Sequence, residues 1–176
     1  MEVIEYNSII HSKITGTFLA YFEQICFSFN GTNMLDGYGR IEHQGIIYDS
    51  YIEYCTYYGT KEGVPQIWIL WDNDDIQGFA MGFIPNKITP YIPDYIDYSP
   101  NFYLGSLYVL PRYQSNGGGS LLLNNIKNYC KSKGYHQIFL NVDFHNTKAF
   151  KYYSKRGFYV TKKNEKNQIY FMSLDL

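Results

Sequence analysis

The order of apolar segments in this 176-residue sequence predicts an α/β (α+β) fold with a mixed central sheet and helices on both of its faces. Two observations support this. Apolar runs at 67–71 and 76–84 flank the polar turn Asp72-Asn-Asp-Asp75, a pattern typical of an antiparallel hairpin. Farther along, strand 103–109, helix 119–133 and strand 138–142 form a crossover of the kind that joins parallel strands.

The N-terminal half adds one strand, two helices and a loop to this prediction. Residues 2–6 have the pattern of a short strand, and segments 17–29 and 46–58 carry aromatic residues at helical spacings. Segment 85–101 holds four of the six prolines of the chain, which predicts an irregular loop.

The C-terminal half contains the most regular patterns. Helix 119–133 has one apolar side and ends at Gly134, a suitable stop residue. The apolar side consists of Leu122, Ile126, Tyr129 and Cys130. A helix over 146–155 and a closing hairpin of strands 158–162 and 168–174 complete the chain.

Composition indicates a single domain, 1–176, of a cytoplasmic protein. The formal net charge is −1 and the Lys and Arg residues form no sequence cluster, so we expect no nucleic-acid partner. Cys26, Cys55 and Cys130 are spaced as neither a zinc site nor a disulfide framework, which predicts reduced thiols and no metal. The N-terminus lacks the features of a signal peptide, and no apolar stretch is long enough to span a membrane.

Residues 107–120 predict a phosphate-binding turn. An apolar run is cut by Pro111, and a glycine triplet then opens a helix. The first turn of a helix has unpaired N–H groups and a partial positive charge, and glycine lets an anion approach the backbone. The segment is not a Walker loop, because Gly119 is followed by Ser120 rather than by lysine. It also lies past the middle of the chain, unlike the early βαβ fingerprint of dinucleotide-binding proteins.

The segment resembles the acetyl-CoA loop of the GCN5-related N-acetyltransferase (GNAT) superfamily. Gln114, Gly117 and Gly119 match its pattern of Gln or Arg, two residues, Gly, any residue, then Gly or Ala. A later segment resembles the second motif of that superfamily, and its matching residues are Asn146, Ala149, Tyr153, Gly157 and Phe158. Two motifs in the expected order identify the chain as a member of this superfamily.

The second motif also has a purely structural interpretation. Asn146 is a good helix N-cap, Ala149 and Tyr153 share one helix face, and Gly157 suits a helix C-terminus. On that interpretation Tyr153 is one half-buried aromatic residue among twenty tyrosines. Its position in the motif favours it over its neighbour Tyr152 as a functional residue.

The resemblance implies an acetyl-CoA-dependent N-acetyltransferase in which two central parallel strands separate around the pantetheine arm. It assigns residues 1–101 to the acceptor side and residues 102–176 to the cofactor side. The implied cofactor-binding residues are Leu107, Tyr108, Val109, Gln114, Ser115, Asn116, Gly117, Gly118, Gly119, Ser120 and Asn146. Tyr153 is implied to protonate the departing thiolate as general acid. Backbone donors near Val109 are implied to polarise the thioester carbonyl.

The sequence departs from the superfamily at the general base. Positions where relatives carry a carboxylate are occupied here by Gly105, Ser106 and Asn141. Asp143, Tyr108, Asp94 or a chain of water molecules remain as alternatives. His136 and His145 are close in sequence, but histidines beside a helix start are typically solvated or capping residues.

The acceptor is the least specified part of the prediction. A primary amine of a small molecule is favoured, with a protein or peptide amine and a non-catalytic acetyl-CoA-binding module as alternatives. An aromatic and acidic pocket for a cationic amine can be assembled from Tyr51, Glu53, Tyr54, Tyr57, Tyr58 and the acidic loop 94–97. Abundant tyrosine as a compositional habit explains the same residues. A homodimer is compatible with the sequence.

Overall fold

The structure is a computed structural model. It describes residues 1–6, 41–43, 46–48, 66–72, 75–84 and 101–176. Nine strands and two α-helices lie within this described part of the chain.

The strands form a seven-stranded sheet and a separate two-stranded sheet. In chain order they are β1 (Glu2–Glu5), β2 (Ile41–His43), β3 (Ile46–Tyr48), β4 (Gln66–Asp72), β5 (Asp75–Phe83), β6 (Asn101–Val109), β7 (Gln137–Asp143), β8 (Tyr159–Asn164) and β9 (Ile169–Asp175). The large sheet has the order β1-β4-β5-β6-β7-β9-β8, and β2 pairs with β3. The pair β6 and β7 is parallel and its neighbours are antiparallel, so the predicted mixed sheet is confirmed.

Two α-helices follow the two parallel strands. Helix α1 (Gly118–Ser132) connects β6 to β7, and helix α2 (Thr147–Ser154) follows β7. A 3₁₀ turn over Pro111–Tyr113 lies between β6 and α1. Both helices agree with the predicted ones within two residues at each end, which is the usual uncertainty of helix boundaries.

Strands β6 and β7 separate after a short stretch of pairing. Their ladder joins Asn101–Gln137, Phe102–Ile138 and Tyr103–Phe139, and β6 then continues to Val109 without β7 as a partner. The cause is visible on the other edge of β6, where Leu104 and Ser106 oppose consecutive residues of β5 and leave Gly105 as a bulge. A bulge bends its strand and increases the local twist. The bend therefore opens a gap between the ends of β6 and β7.

Helix α1 packs on one face of the large sheet. Its apolar side, predicted as Leu122, Ile126, Tyr129 and Cys130, meets Trp68, Phe102 and Ile138 of the strands in one core cluster. Cys130 is fully buried, and burial raises the pKa of its thiol to about 12. Because a thiol is reactive as the thiolate, Cys130 is a core residue and not a nucleophile.

The central strands also bury residues on the opposite face of the sheet. Ile69 is 2% exposed, and Phe79 and Phe139 are each 1% exposed. The segment predicted as a helix, 17–29, lies outside the described residues.

The prediction of a helix over 46–58 is wrong at its start. Ile46–Tyr48 is strand β3, paired antiparallel with Ile41–His43, and residues 49–58 lie outside the described part. The tyrosines at helical spacing start at Tyr51. The three residues of β3 are β-branched or aromatic, and such side chains suit a strand.

Candidate active site

The gap between β6 and β7 exposes the backbone of β6. The Leu110 N–H donates to the Gln77 carbonyl of β5 at 2.8 Å, so Leu110 directs its amide towards β5. Neighbouring residues of a strand direct their backbone groups to opposite sides. The N–H and C=O groups of Val109 and, two residues earlier, of Leu107 therefore face away from β5 and into the gap. Tyr108 pairs with Phe79, so its backbone groups face β5.

The turn after β6 is fastened to the strand by a motif residue. Gln114 donates from Nε2 to the Val109 carbonyl at 2.8 Å. Its Oε1 atom accepts a hydrogen bond from Lys148 at the start of α2. Gln114 therefore connects the end of β6 with the helix that follows β7, on the other side of the gap.

The glycine-rich loop adopts the conformation that a phosphate-binding turn needs. Ser115 has φ 69° and Gly117 has φ 85°, so both lie in the left-handed region. A Cβ atom added to Gly117 would meet no atom within 4 Å, which leaves open space in front of the loop. Ser115, Asn116 and Gly117 are exposed, and Gly117 precedes the first residue of α1. The amides of this loop and of the first turn can therefore receive an anion from solvent.

The other two glycines of the triplet have packing roles that sequence reasoning missed. A Cβ atom on Gly118 would lie 2.4 Å from Cδ2 of Leu70, so helix α1 can approach β4 only if this residue is glycine. A Cβ atom on Gly119 would lie 3.1 Å from the Tyr152 hydroxyl. At both positions the absence of a side chain avoids a close contact with a neighbouring side chain.

Asn146 caps α2. Its Oδ1 atom accepts a hydrogen bond from the Ala149 N–H at 3.0 Å. The predicted capping role is confirmed by this geometry. The amide Nδ2 group is the donor with which Asn146 would contact the cofactor arm, and that contact stays a prediction.

The two adjacent tyrosines of α2 occupy different environments. Tyr153 is 8% exposed and packs edge-to-face on Phe158, with 5.3 Å between ring centroids. Tyr152 places its buried hydroxyl against Gly119, and burial raises the pKa of that hydroxyl. The two ring planes are nearly perpendicular, at 84°. Tyr152 therefore lies against the glycine triplet, whereas Tyr153 packs on Phe158.

Helix α2 brings the two sequence motifs together. Lys148 in its first turn contacts Gln114, and Tyr152 near its end contacts Gly119. Arg156, just beyond the helix, donates to the Ser120 hydroxyl at 2.6 Å. Arg156 was not predicted from the sequence, because one arginine in a lysine-rich segment gives no signal of what it contacts.

The candidates for a general base are only partly described. Asp143 accepts a hydrogen bond from the His145 N–H at 2.8 Å, and its Oδ1 atom lies 3.0 Å from His145 Nδ1. The Asp143 carbonyl also accepts from the Asn146 N–H at 3.0 Å. Asp143 and His145 therefore shape the turn between β7 and α2, and the His145 side chain is 73% exposed, which agrees with a solvated position. Asp94 lies outside the described residues.

The predicted acceptor pocket also lies outside the described residues. This applies to Tyr51, Glu53, Tyr54, Tyr57, Tyr58 and the loop 94–97. In the described part of the chain, no three His, Cys, Asp or Glu side chains are grouped as metal ligands. None of the described helices is long and apolar enough to cross a membrane.

Three features together define an acetyltransferase fold. They are a mixed sheet with two separating parallel strands, a glycine turn at the opening of the gap, and the helix of the second motif beside that turn. The model of the acetyltransferase (GNAT) family matches residues 34–158. The chain belongs to this family, which makes it an acetyl-CoA-dependent acyltransferase. A search of curated protein sequences gave no match.

Solved structures agree with this assignment. PaiA N-acetyltransferase from Thermoplasma acidophilum, in complex with coenzyme A, is 17% identical with a TM-score of 0.62 and 100% coverage of both chains. A GNAT-family acetyltransferase from Staphylococcus aureus Mu50 is 16% identical with a TM-score of 0.65, covering 99% of this chain and 98% of that one. Aminoglycoside 6'-acetyltransferase type Ii is 15% identical with a TM-score of 0.65, covering 99% and 97%. At these identities the likeness concerns the fold.

Proposed function

We propose that this protein transfers the acetyl group of acetyl-CoA to a primary amine of a small molecule. The observation that carries the proposal is the gap beyond Tyr103, where β6 presents backbone groups of Leu107 and Val109 that β7 does not pair. Apart from the Val109 carbonyl, which accepts a hydrogen bond from Gln114, these groups have no partner among the described strands. Such groups beside an anion-binding turn suit a ligand with an amide-bearing arm and a phosphate end. The pantetheine arm and the pyrophosphate of acetyl-CoA have these two properties.

The cofactor half of the proposed site is contained in residues 102–176. The loop from Ser115 to Ser120 holds the pyrophosphate on its amides, and Leu107, Val109 and Asn146 hold the arm. Acetyl-CoA supplies the activated acetyl group as a thioester. Residues 1–101 provide the acceptor side, which sets the choice of amine.

The reaction is a direct attack of the free amine on the thioester carbonyl. The Val109 N–H faces the gap and donates to the carbonyl oxygen as negative charge develops there. Tyr153 donates its hydroxyl proton to the departing thiolate sulfur. The new bond joins nitrogen to the acetyl carbon and the carbon–sulfur bond breaks. The amine gives one proton to water, and water returns one proton to the Tyr153 phenolate.

An acceptor screen tests this proposal. The purified protein is mixed with acetyl-CoA and either small primary amines or peptides, and release of the CoA thiol is followed together with the mass of the product. Acetylation of small amines supports the proposal, whereas acetylation confined to peptides would establish the peptide alternative. Binding of acetyl-CoA without transfer to any amine would indicate a non-catalytic module.

The pH dependence of the reaction tests whether transfer proceeds without a dedicated carboxylate at positions 105, 106 or 141. Gly105, Ser106 and Asn141 cannot accept a proton, so we expect kcat/KM to rise with pH until the substrate amine is deprotonated. The midpoint should follow the pKa of each amine when acceptors of different basicity are compared. An acidic limb with a constant pKa near 6 to 7, the range of tuned enzyme bases, would reveal a base on the protein.

A further inference from the structure

Arg156 fastens the end of α2 to the first turn of α1. Its Nη2 atom donates to the Ser120 hydroxyl oxygen at 2.6 Å, and Nη1 donates to the Tyr152 carbonyl at 3.0 Å. The guanidinium carbon lies 3.6 Å from the centroid of the Tyr152 ring. Three contacts in different directions fix a planar group, so the position of the guanidinium is well defined.

The charge of Arg156 is not balanced by a carboxylate among the described residues. A second cation lies close by, since Lys127 donates from Nζ to the Arg156 carbonyl at 3.4 Å. The pKa of Lys127 is lowered, chiefly by burial and further by the positive charges of Lys131 and Arg156. A partly buried guanidinium beside a helix N-terminus that itself attracts anions adds positive charge at the place where an anion would bind.

The contact with Ser120 also determines what that hydroxyl can do. Ser120 follows the glycine triplet in the first turn of α1. Because its oxygen accepts from a guanidinium that can only donate, the Ser120 proton is directed elsewhere. Two acceptors suit this proton: the Tyr152 hydroxyl, with which Ser120 has a hydrogen-bonding interaction, and a phosphate oxygen bound at the glycine turn.

We propose that Arg156 is a positioning residue of the acetyl-CoA site, which orients the Ser120 hydroxyl towards the cofactor pyrophosphate and supplies positive charge to it. This inference rests on the proposed function and extends it. It predicts that Arg156 matters for cosubstrates with a pyrophosphate and not for the acyl-transfer chemistry. S-acetylpantetheine has the same thioester and arm but no phosphate, so it separates an effect on pyrophosphate binding from an effect on acyl transfer.

The test compares R156M, R156K, S120A and the double variant R156M/S120A with the unmodified protein. We expect R156M to weaken acetyl-CoA binding about 10-fold in calorimetric titration, as for loss of a hydrogen bond to a charged group. R156K should recover part of the affinity because it keeps the charge. The double variant should bind about as weakly as R156M, since the two side chains act together. The kcat/KM of R156M for S-acetylpantetheine should stay within about twofold of the value for the unmodified protein.

K155M is the matched control, because Lys155 is the exposed neighbour of Arg156 and its loss changes the net charge equally. Equal weakening by K155M and R156M would reduce the effect to net charge and overturn the proposal. An equal loss of kcat/KM with acetyl-CoA and with S-acetylpantetheine in R156M would also overturn it. The same holds if the losses of affinity in R156M and S120A multiply in the double variant. If the unmodified protein does not bind acetyl-CoA, the proposed function fails instead, which the first titration shows.

Discussion

Replacement of Tyr153 by phenylalanine should lower kcat by about 10²- to 10⁴-fold, the usual contribution of one proton-transfer group, while KM for acetyl-CoA changes little. Tyr153 is buried against Phe158, and phenylalanine keeps the ring that makes this contact. The substitution therefore removes the hydroxyl and preserves the packing. Steady-state kinetics with a saturating amine, together with a thermal melt of the variant, measure both quantities.

Tyr152→Phe is the matched control on the same helix. Its ring stacks under Arg156 and its hydroxyl is buried beside Gly119. The Ser120 hydroxyl is the polar neighbour of this group, and phenylalanine keeps the ring under Arg156, so loss of the hydroxyl should leave kcat unchanged and cost little stability. A loss of kcat in Tyr152→Phe with full activity in Tyr153→Phe would shift the motif assignment by one residue. Full activity of both would mean that the thiolate leaves unprotonated or that another donor serves.

The features predicted correctly from the sequence are those set by local pattern. The hairpin β4–β5, helix α1 with its glycine stop, the crossover to β7 and the cap at Asn146 each depend on periodicity or on one residue with a narrow conformational preference. Gly117 belongs to this group, because its left-handed backbone is a local property. The separation of β6 from β7 was expected only from the family resemblance, and the structure supplies its local cause in the bulge at Gly105.

The features missed from the sequence depend on contacts between distant segments. Gly118 is glycine because Leu70 of β4 lies where its Cβ atom would be, a contact between residues far apart in the chain. Arg156 reaches Ser120 across 36 positions of sequence. The sequence pattern predicts a helix where strand β3 lies, because a short apolar run is compatible with a helix and with a strand when its pairing strand is unknown.

Gly117→Val should weaken the binding of acetyl-CoA by about 10-fold or more, the second large effect expected at this site. Valine disfavours φ 85° and would strain the turn by about 1–3 kcal/mol. Its side chain would also occupy the open space in front of the loop, where the structure has no atom within 4 Å of an added Cβ. Both effects disturb the amides that the pyrophosphate needs. Calorimetric titration with acetyl-CoA measures the loss.

Gly134→Val separates strain from obstruction of the ligand. Gly134 has φ 73°, and an added Cβ there likewise meets no atom within 4 Å. It lies beyond the other end of α1, about 20 Å from the glycine turn at 1.5 Å per residue. We therefore expect the two variants to lose similar thermal stability, because their backbone strain is similar, while only Gly117→Val loses affinity for acetyl-CoA. Unchanged affinity in a folded Gly117→Val protein would remove this loop from the cofactor site, and equal loss in both variants would trace the effect to the stability of α1.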